Sequence, residues 1–104
     1  MSDSKIETLK TLVAKNPNNP LGRYGLANEY LKLEMYEEAV SEIEAYLKLK
    51  DDQGAVYRML GEALMKLGRK EEAKEAYKRG VEAAERHGHP GMASEFEETL
   101  ELID

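Results

Sequence analysis

Residues 57–77 read YRMLGEALMKLGRKEEAKEAY, from Tyr57 to Tyr77. Tyr57, Leu60, Leu64 and Leu67 follow one another at intervals of three and four, which places them on one face of a helix. Gly68 then stands where a helix stops in a left-handed cap. Glu71 and Glu72 put negative charge where a new helix presents its positive end, and Ala73, Ala76 and Tyr77 begin a second apolar stripe. Gly61 and Ala73 are small enough to let two antiparallel helices approach, while the aromatic and leucine side chains fill the space beside them. The stretch is therefore a helix-turn-helix hairpin.

The same hairpin occurs twice. Shifted by 34 residues, Leu26 falls on Leu60, Lys32 on Lys66, Leu33 on Leu67, Glu37 on Glu71, Glu38 on Glu72 and Ala39 on Ala73. Ala27 meets Gly61, Leu31 meets Met65, Ile43 meets Tyr77 and Leu47 meets Val81. A fixed period of this length marks a repeat architecture in which each unit leaves an apolar face for its neighbour to cover.

The remaining helices follow by the same signals. Ile6, Leu9, Leu12 and Val13 form a stripe introduced by Ser4 and Glu7 in capping-box spacing, and it ends before Pro17. Asn19 is a good N-cap and Pro20 suits the first helical position, opening a helix that runs to about Leu33. Ala39, Ile43, Tyr46 and Leu47 mark a third helix closing near Lys50, and the fifth continues through Val81 and Ala84 to Gly88. Pro90 opens a sixth, with Met92, Ala93, Phe96, Leu100 and Ile103 on one face. No segment alternates with period two for long enough to make a strand.

The second copy resembles the tetratricopeptide repeat, whose pattern is Trp-x2-Leu-Gly-x2-Tyr followed by Ala-x3-Phe and a closing proline. It reads Tyr57-x2-Leu60-Gly61-x2-Leu64, then Ala73-x3-Tyr77. The first copy reads Arg23-x2-Leu26-Ala27-x2-Tyr30, then Ala39-x3-Ile43, with Arg23 in place of the aromatic. The closing proline is absent from both, at Asp51 and Glu85. The resemblance implies an all-α fold: a short right-handed solenoid of antiparallel helix pairs, about six helices in one domain over residues 1–104. Residues 4–16 would be an N-terminal half-repeat, 20–53 and 54–87 two full repeats, and 90–104 a capping helix. The outer face of that last helix carries Glu95, Glu97, Glu98 and Glu101, which suits a soluble end.

Composition narrows the function. Fifteen Lys and Arg against twenty-one Asp and Glu give a formal charge of −6, with the positive charges scattered singly, so a phosphate backbone is repelled more than attracted. Nucleic acid is not an expected partner. There is no cysteine, hence no disulfide framework and no thiolate chemistry. The N-terminus does not read as a secretory signal, and no window nears the roughly 18 apolar residues of a membrane span. A cytoplasmic protein without membrane association is expected.

Catalytic signatures are absent. His87 and His89 are the only histidines, and a pair in a Gly-Pro loop lacks the further ligands of a metal site. Gly68-Arg69-Lys70 lacks the glycine spacing of a phosphate loop, and Ser41 and Ser94 have no nucleophile-elbow context. Glu37-Glu38 and Glu71-Glu72 are explained by helix starts. No enzyme activity, cofactor or metal is expected.

The resemblance instead implies a protein-interaction module that holds a peptide or helix of a partner in a concave groove. The alternative is a self-associating assembly protein that uses an uncovered end; a monomer or weak homo-oligomer is expected. At ~100° per residue, Leu21, Tyr24, Asn28 and Leu31 lie away from the stripe of Arg23, Leu26, Ala27, Tyr30 and Leu33. The equivalent residues are Ala55, Arg58, Glu62 and Met65. These eight are the candidate partner-binding residues. In the subgroup that clamps chaperone C-termini, Lys and Asn line this groove; only Asn28 matches here, with Tyr24 and Met59 at two of the other positions, so that ligand is not expected.

Overall fold

The computed structural model describes residues 2–103. It contains six helices and no strand among those residues: α1 (Ser2–Lys15), α2 (Pro20–Lys32), α3 (Tyr36–Leu49), α4 (Ala55–Lys66), α5 (Lys70–Arg86) and α6 (Pro90–Leu102). They form two compact units, Met1–Lys50 and Asp51–Asp104. The fold is all-α, as the periodicity indicates.

In the first unit α2 packs against both α1 and α3. Asn19 caps α2 by accepting the Leu21 N–H on its side-chain oxygen at 3.0 Å, with Pro20 in the first turn. Two glycines on α2 set the approach of α1: a Cβ on Gly22 would stand 3.3 Å from Val13 Cγ2, and one on Gly25 3.3 Å from Leu9 Cδ2. Ile6, Val13, Leu26, Tyr30 and Ala39 form the buried cluster, with Leu9 and Leu31 against it. Glu29 is buried beside them and accepts from Lys5 and Lys32, each at 3.2 Å. The Lys32 hydrogen bond holds its carboxyl below the ordinary value of 4.5; burial opposes this, and Lys5 adds to it.

Three expectations are corrected in this unit. The first helix begins at Ser2, so Ser4 and Glu7 lie inside it rather than forming a capping box. Leu12 is 49% exposed, because a helix packed on α2 buries a narrow stripe that Ile6, Leu9 and Val13 already fill. Leu33 is also exposed, as the C-cap residue beyond the last full turn of α2.

In the second unit α5 packs against α4 on one side and α6 on the other. Tyr57, Leu60, Leu64, Ala73, Ala76, Tyr77, Ala93 and Phe96 are buried. Gly80 sits inside α5, where a Cβ would come within 2.9 Å of Phe96 Cε2 and 3.1 Å of Tyr57 Cβ. The start of α4 has a cap that the sequence did not reveal. The Asp52 carboxylate accepts from the Gly54 N–H at 2.8 Å and the Val56 N–H at 3.0 Å, while Gly54 takes φ 141° directly beside the Met92 sulfur.

One turn recurs three times. After α2, α4 and α5 the chain makes the same pair of bonds: Glu34 N–H to Leu31 O with Met35 N–H to Tyr30 O, Gly68 to Met65 with Arg69 to Leu64, and Gly88 to Glu85 with His89 to Ala84. This is the Schellman arrangement, whose middle residue needs a left-handed backbone. Gly68 and Gly88 both have φ 75°, whereas the first copy places Glu34 there at φ 58°.

Candidate functional site

The eight candidate residues fall on two helices, four in each unit. On α2, Leu21 is 74% exposed and Tyr24 39% exposed. Tyr24 is propped by α3: its ring and that of Tyr46 have centroids 5.7 Å apart at 47°. Asn28 is half-buried. Leu31 is a correction, since it packs against the cluster around Ile6 and Leu26 instead of standing outside the core. The α2 row thus offers one fully projecting leucine and one braced tyrosine.

On α4, Ala55, Glu62 and Met65 are exposed and Arg58 is half-buried. Arg58 is held by the last helix. Its Nη2 donates to Glu95 Oε2 at 2.9 Å, and its guanidinium lies 5.3 Å from the centroid of the Phe96 ring. Sequence reasoning missed this restraint because α6 departs from the repeat register. Glu62 also acts inward: its charge, after burial, helps raise the Tyr77 hydroxyl above its ordinary value, against the opposing charge of Arg58.

A second polar cluster was not anticipated. Asp51 accepts from Arg86 Nη2 at 2.6 Å and from His87 Nε2 at 2.8 Å, and His89 Nε2 donates to Gln53 at 2.9 Å. The Arg86 bond, then that of His87, holds the Asp51 carboxyl below its ordinary value. These side chains fasten the segment before α4 to the turn between α5 and α6. Among the described residues no group of three or more His, Cys, Asp or Glu is arranged to hold a metal ion, and no helix is long and apolar enough to cross a membrane.

The family model described as tetratricopeptide repeat matches residues 24–87. The chain belongs to the tetratricopeptide repeat family. The TPR repeat-containing protein PA0015 of Pseudomonas aeruginosa is 28% identical over 99 residues, covering 95% of this chain and 94% of that one. Small glutamine-rich tetratricopeptide repeat-containing protein 2 of Mycosarcoma maydis is 32% identical over 77 residues, 74% of this chain; the match spans only 22% of that relative's length. Among solved structures, protein BPP2914 from Bordetella parapertussis superposes with a TM-score of 0.75 at 24% identity, over 94% of this chain and 85% of its own. A MamA mutant gives 0.67 at 23% identity, over 98% of this chain and 67% of its own. These two likenesses establish the fold. Tetratricopeptide repeats generally mediate protein–protein interaction, and the 34-residue period read from the sequence is the period of this family.

Proposed function

We propose that this tetratricopeptide protein holds a segment of a partner polypeptide on Leu21, Tyr24 and Asn28 of α2, and that Ala55, Arg58, Glu62 and Met65 of α4, at the equivalent positions of the second repeat, also bind partner polypeptide. The observation that carries the reading is the pair Leu21 and Tyr24. Both are large, both are exposed, and they stand one turn apart on a helix whose opposite face is buried. Tyrosine braced by a second ring loses little freedom on binding, which is why such residues make good anchors. Arg58, bonded to Glu95 and 5.3 Å from the Phe96 ring centroid, is likewise pre-positioned. On this reading the protein is a cytoplasmic, non-enzymatic binding module.

Site-specific photo-crosslinking tests it. A photoreactive residue at position 21 is expected to capture a polypeptide partner, and the same residue at position 78, exposed on α5, is not. Equal capture at both positions contradicts the reading.

A second reading, self-association, is favoured by Leu12. It is half exposed on α1, the helix that begins the first unit. If copies meet through α1, Leu12→Glu converts an associated species to monomer in sedimentation velocity; a wild-type monomer at all concentrations rejects it.

A further inference from the structure

The 34-residue register aligns Arg23 with Tyr57, Ala45 with Arg79 and Lys48 with Glu82. In the second unit this position is filled. Tyr57 is 9% exposed, the Arg79 guanidinium lies 5.2 Å from its ring centroid, and Tyr57, Arg79, Glu82 and Arg86 leave a recess of only about 120 Å³. In the first unit the ring is missing. Arg23 Nη1 donates to Glu42 at 3.0 Å and Nε to the Pro17 carbonyl at 3.4 Å, and Ala45 is too short to reach across. The result is an open cleft of about 440 Å³ lined by Pro17, Arg23, Ser41, Ala45, Lys48 and Leu49, among others.

We infer that this cleft receives one aromatic side chain, Tyr or Trp, of a partner polypeptide, its ring lying against Arg23, which stands where Tyr57 stands in the second unit. The lining fits that chemistry. Pro17, Ala45 and Leu49 supply apolar walls, and the Ser41 hydroxyl supplies a partner for a phenol or indole N–H, as a buried Tyr or Trp requires. Arg23 discriminates against other ligands. Glu42 neutralises it, and the other two charges of the lining, Glu44 and Lys48, are opposite in sign, so the cleft has no net attraction for a carboxylate or phosphate; a guanidinium whose edge donors are engaged still presents its flat face to a ring. Leucine would find the walls without that stacking. None of these residues is among those proposed above on α2 and α4, so the failure of either proposal leaves the other untouched.

The test is an amide-resolved NMR titration of the full chain with N-acetyl-tryptophanamide, and with N-acetyl-leucinamide as control. Saturable shifts are expected at Arg23, Ser41, Ala45 and Lys48 with the aromatic probe, and no saturable shift there with the aliphatic one. Arg23→Tyr, which furnishes the ring intramolecularly, and Ala45→Arg, which restores the second unit's lid, are each expected to abolish the shifts while helical circular dichroism is retained. Ala45 is only partly buried, so Ala45→Arg decides the matter if Arg23→Tyr does not fold. No shift in the wild type, equal shifts with both probes, or shifts that persist in folded Ala45→Arg overturn the inference.

Discussion

Gly61 of α4 lies against the ring of Tyr77 of α5: a Cβ built on Gly61 would stand 2.7 Å from both Cε atoms of that ring and closer still to Cζ. Tyr77 is itself only 5% exposed, so the ring has no room to retreat. The first unit solves the same packing differently, with buried Ala27 and Ile43 at the corresponding positions.

Gly61→Ala therefore destabilises the protein by about 1 to 3 kcal/mol, although the helix itself gains about 1 kcal/mol from alanine. Gly61→Leu costs more. Adding Tyr77→Ile to Gly61→Ala is expected to recover most of the loss, because it transplants the first unit's pair. Urea denaturation of the single and double mutants checks this; purely additive losses would show that the two positions do not compete for one space.

Glu34 adopts the left-handed backbone that glycine supplies at Gly68 and Gly88. For an L-residue that conformation costs roughly 1 to 2 kcal/mol, partly returned by the smaller unfolded-state entropy of a non-glycine residue. Glu34→Gly is expected to raise the melting temperature, and Gly68→Ala to lower it. The first turn needs the comparison most, since its helix pair closes without a glycine.

Removing residues 89–104 uncovers the α5 surface around Gly80 that Phe96 now covers at 2.9 Å from a Gly80 Cβ position. It also releases Arg58 from Glu95. The truncated chain is expected to aggregate or to melt lower, since exposed apolar patches of this kind are seldom tolerated by monomers. A soluble, monomeric and equally stable truncation would remove α6 from its capping role.

Much of this was legible in the sequence because local signals and long-range packing agree there. Pro20, Gly68, Gly88 and Pro90 sit at helix ends for backbone reasons that tertiary contacts do not override. Leu26, Leu60, Tyr30 and Tyr77 are buried as their spacing requires. Exposure at the edges of each stripe was not legible, as Leu12, Leu31 and Leu33 demonstrate, because periodicity gives a direction and not the width of the neighbouring surface. Pairings such as Arg58 with Glu95, or Asp51 with Arg86, join positions more than thirty apart in the chain and follow no repeat. The buried carboxylate of Glu29 was hidden for a similar reason: its partner Lys5 belongs to α1, outside the duplicated hairpin.

Glu29 gives the first unit an acid-sensitive contact. Its folded value lies below the ordinary 4.5, so the unfolded chain binds its proton more readily. The stabilisation is present above the ordinary value and is lost as pH falls below it and through the depressed folded value. Glu29→Gln is expected to melt lower than the wild type at pH 7, with the difference shrinking to nothing in strong acid. A difference that does not change with pH would mean that the ion pairs with Lys5 and Lys32 contribute nothing.

Leu21 and Tyr24, exposed one turn apart on α2, are the residues proposed to hold the partner. The most direct measurement is the affinity of the crosslinked partner, by isothermal titration calorimetry, for the wild type and for Leu21→Ser with Tyr24→Ala. A loss of at least ~1 kcal/mol of binding free energy is expected, with melting temperature and helical circular dichroism nearly unchanged. Undiminished affinity in the folded double mutant would contradict it.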